Sequence, residues 1–217
     1  MATYLEQELG NIKLKIYEMA DQAIEAISDS VDALKNSNLE LAQKVIQDDT
    51  ILDRLEIELD DECIKVLVTR QPAAVDLRFI LAMLKINTDL ERMGDLATNI
   101  AKETIRLDGK PQVKPLMDIP RMAAIGIEMI KGAFQSITDK NVDMAREVIK
   151  RDSEIDELNI QVYRELFSYM AENPRIMSQS LGLIMVSKAL ERIGDHATNI
   201  AERAIYYIKG VDIRHAD

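Results

Sequence analysis

Residues 91–101 read Glu91-Arg92-Met93-Gly94-Asp95-Leu96-Ala97-Thr98-Asn99-Ile100-Ala101, and the chain repeats them 100 positions later as Glu191-Arg192-Ile193-Gly194-Asp195-His196-Ala197-Thr198-Asn199-Ile200-Ala201. Nine of the eleven residues are identical. Upstream, Ala42-Gln43-Lys44-Val45-Ile46 aligns with Ala145-Arg146-Glu147-Val148-Ile149 at an offset of 103. The same frame matches Asn38 with Asn141, Asp49 with Asp152 and Asp53 with Asp156. The first copy is therefore three residues longer between its two blocks. A period this long marks a duplicated supersecondary unit rather than a solenoid of short repeats.

Each copy reads as three helices. The five prolines stand at positions 72, 111, 115, 120 and 174, and the stretches between them carry helical periodicity. Leu41, Val45, Leu52, Leu55, Leu59 and Val66 form one apolar stripe spaced by threes, fours and sevens. Lys35–Asn38 and Thr138–Asn141 read as short turns with capping side chains. Pro72 and Pro174 fit the first turn of a new helix. The pattern predicts helices over about 4–35, 38–70, 72–107, 117–138, 141–172 and 174–209. The expected architecture is all-α: two tandem antiparallel three-helix bundles related by internal duplication. The first bundle covers 1–107, a proline-bearing linker 108–116, the second bundle 117–209 and a tail 210–217.

Composition agrees and excludes alternatives. Eight Gly and five Pro in 217 residues, no Trp and 4% aromatics leave too few turn residues for a β-sandwich or barrel. No glycine-rich phosphate loop precedes a helix, against a Rossmann or P-loop domain. The net charge of −11 disfavours nucleic acid. It is concentrated in residues 1–108, which balance to −10 against −1 for the remainder. Cys63, the single cysteine, lies among Leu59, Val66 and Leu67 and is expected as a buried core residue. The longest charge-free run, residues 176–187, is too short to span a bilayer, and the N-terminus shows no secretory pattern.

With Leu90 set at 0° on a helical wheel, Met93, Gly94, Ala97 and Ala101 fall within about 60° and form the core face. Glu91, Asp95 and Thr98 fall at about 80–140°, flanking that face, and Asn99 at about 180°. On the preceding helix Asp49, Asp53, Glu56 and Asp60 lie on a similar flank of the Leu52 face. Gly94 and Gly194 read as points of close helix contact. Arg92 and Arg192 project to solvent, and His196 projects away from the carboxylates. Carboxylates four apart stand about 6 Å apart along a helix, close enough to share a cation. Two such pairs from neighbouring helices make an oxygen-rich site suited to Fe, Mn, Mg or Ca rather than closed zinc coordination. The residues leave two readings open, a solvated ion-paired face and a cation site. No Ser/His/Asp or Cys/His set can be assembled, and neither histidine follows a Glu at the Glu-x-x-His spacing of a ferritin-like centre.

The duplicated Asp-x-x-x-Asp and Glu-Arg-x-Gly-Asp-x-x-x-Asn blocks, with Arg70-Gln71-Pro72-Ala73-Ala74-Val75-Asp76-Leu77-Arg78 opening the third helix, closely resemble the PhoU family of bacterial phosphate-signalling regulators. The resemblance covers about residues 4–209. It implies a cytoplasmic, non-enzymatic negative regulator of the phosphate-starvation response and a modulator of phosphate uptake. Such a protein would act as an adaptor between the ATPase subunit of a phosphate ABC transporter and a sensor histidine kinase. It also implies multinuclear metal clusters, iron foremost, with Zn, Mn, Mg or Ca open. Carried over, the metal ligands would be Asp49, Asp53, Glu91, Asp95 and Asn99 in the first half. In the second they would be Asp152, Asp156, Glu191, Asp195 and Asn199. Asp48, Glu56 and Asp60 are nearby alternatives to Asp49. The resemblance implies neither nucleic-acid binding nor membrane insertion, and exposed bundle faces allow a homodimer. The alternative function is a carboxylate-bridged metalloenzyme, an iron oxidase or a phosphohydrolase. The second half departs from the family pattern, keeping Asn173-Pro174-Arg175 but placing Ser178 where Arg78 would align.

Overall fold

Ser37 and Lys140 each leave a helix in left-handed backbone (φ 51°), and the asparagine that follows caps the next helix. Asn38 accepts from Leu41 N–H, and Asn141 from the N–H groups of Asp143 and Met144. These turns divide a computed structural model that describes residues 4–110 and 113–211. Its helices are α1 (Tyr4–Asn36), α2 (Leu39–Arg70), α3 (Ala74–Arg106), α4 (Asp118–Asp139), α5 (Val142–Glu172) and α6 (Met177–Lys209). No strand occurs among the described residues.

Two proline positions differ from expectation. Gln71 turns left-handed (φ 47°), Ala73 is extended, and α3 begins at Ala74, so Pro72 stands outside the helix rather than in its first turn. Pro174 opens a 3-10 turn (Pro174–Ile176) capped by Asn173, and α6 follows only at Met177. A proline lacks the N–H that a continuing helix needs, so either arrangement satisfies it. Within the linker, the largely buried Lys114 side chain pairs with Asp118 and Glu165, which ties the connection to both α4 and α5.

In the first bundle α1, α2 and α3 pack on one another, and in the second α4, α5 and α6 do the same. The bundles join through α3 against α6 and, less extensively, α1 against α4. Pairings Phe79–Tyr207, Asp89–Asn199 and Arg106–Ser178 show that α3 and α6 run antiparallel. The Tyr17 ring meets Phe134 edge-on at 5.0 Å between α1 and α4. One hydrophobic core consequently runs through both halves, from Ile12 and Met19 through Met83 and Leu90 to Met129 and Ile193. Cys63 is fully buried in it, as expected, and burial pushes its thiol up to about 12. Because α2 and α5 touch neither each other nor the opposite bundle's helices, α2, α3, α6 and α5 form a row. Helices α1 and α4 cover one side of that row, and among the described residues no helix covers its other side.

Candidate metal centre

The carboxylates singled out by the repeat collect on the two outer seams of this row, α2 with α3 and α5 with α6. Gly94 sets the first seam. A Cβ there would meet Leu52 Cδ1 at 2.4 Å and Asp49 Oδ1 at 3.2 Å. Gly194 repeats the arrangement, with Asp152 Oδ1 and Ile155 Cδ1 each 2.9 Å from an added Cβ. Each glycine is therefore a cradle that admits a half-buried Asp of the neighbouring helix beside the Glu-x-x-x-Asp pair. Asp49, not Asp48, enters this position: Asp48 turns toward Lys44, and Asp60 accepts from Asn87 at 2.9 Å.

The groups feel one another's charge. Burial, then Asp53 and Asp95, raises the Asp49 carboxyl. Burial, then Asp95, raises Glu91. Glu56 is raised by burial, then by Asp60, so it joins the first edge. Its partner in the second copy is Asn159, which accepts from Ser187 at 2.6 Å inside the core. In the second edge burial, followed by Asp195, Asp156 and Glu191, pushes Asp152 up to about 6. Burial and then Glu191 raise Asp195. The threonines of the repeat lie beside the same aspartates, Thr98 near Asp49 and Thr198 near Asp152, and their hydroxyls pull against the upward shift, although each hydroxyl oxygen is buried outside hydrogen-bonding geometry.

Basic residues answer part of this charge. Arg92 reaches Glu91 at 3.3 Å and Asp95 at 3.2 Å; Lys188 reaches Glu191 at 2.5 Å. Glu191 Oε2 is nonetheless buried without a hydrogen-bond partner. The donor set is all-oxygen and under-neutralised, which suits a hard cation. Among the described residues, however, no three of these side chains converge as a ready coordination shell. A cation would draw them in from their present partners.

The two asparagines stand apart from the carboxylates. Asn99 borders a cleft between α3 and α6, and Asn199 donates to Asp89 Oδ1 at 3.2 Å across the central seam. His196 Nδ1 joins the same Asp89 oxygen at 2.8 Å. Sequence reasoning misses this Asp89–His196–Asn199 contact, since Asp89 lies outside the repeated block and aligns with Ala189. His215 falls outside the described residues.

In metal-stripped protein, Asp152→Asn is expected to raise stability at pH 7 by roughly 1–2 kcal/mol, after allowance for solvent screening. The sign follows from linkage. The folded carboxyl holds its proton to about pH 6, against an ordinary value of 3.8, so ionisation favours the unfolded chain. The penalty is full above that range and vanishes as pH falls through it. Melting curves should show the advantage of the variant shrinking toward pH 4; an advantage independent of pH would contradict the account.

Comparison with known proteins decides the family. The PhoU domain profile matches twice, over residues 16–104 and 119–204. The chain belongs to the PhoU family. A PhoU homologue of Rhizobium meliloti, named a phosphate-specific transport system accessory protein, is 41% identical over 94% of this chain and 86% of its own. The Aquifex aeolicus homologue of the same name is 40% identical over 97% and 96%. The crystal structure of PhoU from Pseudomonas aeruginosa superposes with a TM-score of 0.90 at 34% identity, covering 94% of this chain and 99% of that one. PhoU from Streptococcus pneumoniae, 22% identical, shares the fold with a TM-score of 0.89. No helix among the described residues is long and apolar enough to cross a membrane.

Proposed function

We propose that this chain is a cytoplasmic regulatory accessory protein of a phosphate-transport system. It represses the starvation response when phosphate is plentiful and works by binding rather than by turnover. Near-full-length similarity to proteins named for that role is the observation that carries the reading. Its partners would be the ATPase subunit of a phosphate ABC transporter and a sensor histidine kinase. The two carboxylate edges would take cations, iron foremost, with Asp49, Asp53, Glu91 and Asp95 holding the first and Asp152, Asp156, Glu191 and Asp195 the second. A bound cation would neutralise the crowded carboxylates and fix α2 to α3 and α5 to α6.

The open side of the helix row supports a docking role. Both copies keep exposed apolar residues at matched positions there, Leu77 and Leu81 on α3, Met177 and Leu181 on α6. Solvent-facing apolar residues retained twice are what a protein-binding face needs. We assign this face to the transporter's ATPase subunit. In a strain lacking the gene, the wild-type chain is expected to restore repression of a phosphate-scavenging reporter in phosphate-rich medium. A Leu81→Asp, Leu181→Asp double variant, with unchanged helicity and melting, is expected to fail. Full repression by the double variant would remove the docking face, and failure of the wild type would remove the function.

A further inference from the structure

The central seam between α3 and α6 is not symmetric, although the sequences that build it are duplicated. On one side of its midpoint Asp89 bridges to His196 and Asn199, and Arg92 is held by Glu91 and Asp95. On the other side the matched positions are Ala189, Leu96 and Asn99, and a cleft of about 460 Å³ opens between α3, α6 and Tyr163 of α5. Three cations line it: Lys102, Lys188 and Arg192. Their counterparts in the other copy are Glu202, Thr88 and the ion-paired Arg92. The cleft is thus cationic in a chain of net charge −11, and two of its three cations, Lys102 and Lys188, stand where the copies have diverged.

Two of the acids nearby already have cationic partners. Glu103, which also lines the cleft, is held by Arg106 at 2.6 Å, and Glu191 by Lys188. Lys102 and Arg192 have no ion-pair partner among the described residues, and the half-exposed Lys188 spends one of its three N–H donors on the largely buried Glu191. Arg192 offers a planar fork and the lysines offer point charges, a combination suited to oxyanions carrying more than one negative charge. The remaining wall is apolar: Leu96 and Ile184 are buried at its base, Met185 is exposed at its rim, and Tyr163 supplies an aromatic ring. The volume falls within the range of small-molecule sites and far exceeds what an inorganic anion fills.

We propose that this cleft binds a nucleotide-type organic phosphate, with the phosphates on Lys102, Lys188 and Arg192 and the planar ring against Tyr163 and Met185. The site shares no lining residue with the carboxylate edges, although its Lys188 pairs with Glu191 of the second edge, and it is independent of the proposed regulatory role. ATP, tripolyphosphate, inorganic phosphate and a tetraglutamate peptide serve as calorimetric probes, with chelator present so that no metal bridges probe and protein. The expected result is ATP binding at sub-millimolar Kd, at least about 10-fold tighter than any of the other three. Lys102→Glu with Arg192→Glu should weaken it by about 30-fold or more, and the milder Lys102→Gln, Arg192→Gln pair by an intermediate factor. Arg146→Glu, an exposed basic residue outside the cleft, should leave it unchanged, with helicity retained in every variant. Absence of ATP binding, affinity equal to that for tripolyphosphate, preference for the peptide, or indifference to the double charge reversal would each overturn the assignment.

Discussion

Gly94→Val is expected to destabilise the protein by about 3 kcal/mol, a drop in melting temperature of several degrees. The branched side chain would enter space that Leu52 Cδ1 and Asp49 Oδ1 fill, the former only 2.4 Å from where a Cβ would stand. Leu52 belongs to the continuous core and has little freedom to withdraw. Gly194→Val should act alike, against Asp152 Oδ1 and Ile155 Cδ1 at 2.9 Å. A helix-interior glycine ordinarily costs about 1 kcal/mol relative to alanine, so these positions forgo stability to keep the helices close. Gly10 is the control: an added Cβ there would have nothing within 4 Å, and Gly10→Ala should stabilise by about 0.5–1 kcal/mol. Thermal melts of the three variants test the contrast, and a Gly94→Val protein as stable as wild type would contradict it.

The second large effect concerns metal. After reconstitution with ferrous iron or manganese and removal of excess, Asp95→Ala with Asp195→Ala is expected to lose nearly all bound metal. The apparent affinity should fall by about 100-fold or more, since changes even to groups around a metal's ligands commonly cost 10–100-fold. The edges lie on opposite flanks of the helix row and share no residue, so each single variant should lose about half. Asp95 and Asp195 suit this test because each sits one residue from its glycine yet does not fill the cradle, which Asp49 and Asp152 occupy. Elemental analysis gives the count, and full metal content in the double variant would remove the ligand assignment. The raised Asp49, Glu91, Asp152 and Asp195 carboxyls add a corollary. Metal and protons compete for them, so retention should weaken as pH falls toward 5.

Much of this is legible in the sequence alone. The 100- and 103-residue offsets define the copies, Asn38 and Asn141 mark the caps, and a helical wheel places Gly94 at the contact and Arg92 in solvent. What periodicity does not supply is the relation between the copies. A wheel separates buried from exposed faces, but it cannot say which exposed residues meet the other bundle. Asp89 and His196 are 107 positions apart and come together only because α3 and α6 pack antiparallel. For the same reason Asn99 and Asn199, grouped with the carboxylates by spacing, stand at the central seam. Thr98 is another case, buried where the wheel sets it on a flank, because α2 approaches closely enough over Gly94 to cover it. The start of α3 differs from the pattern for a local reason, the left-handed Gln71 that turns the chain and leaves Pro72 ahead of the helix.

The most direct test of the regulatory reading is affinity capture of the tagged full-length chain from membranes of phosphate-replete and phosphate-starved cells, with the co-purifying proteins identified by mass spectrometry. The account predicts recovery of a phosphate ABC transporter ATPase and a sensor histidine kinase in amounts that change with phosphate, with recovery of the ATPase falling in the Leu81→Asp, Leu181→Asp variant. Recovery of neither protein under either condition would contradict it.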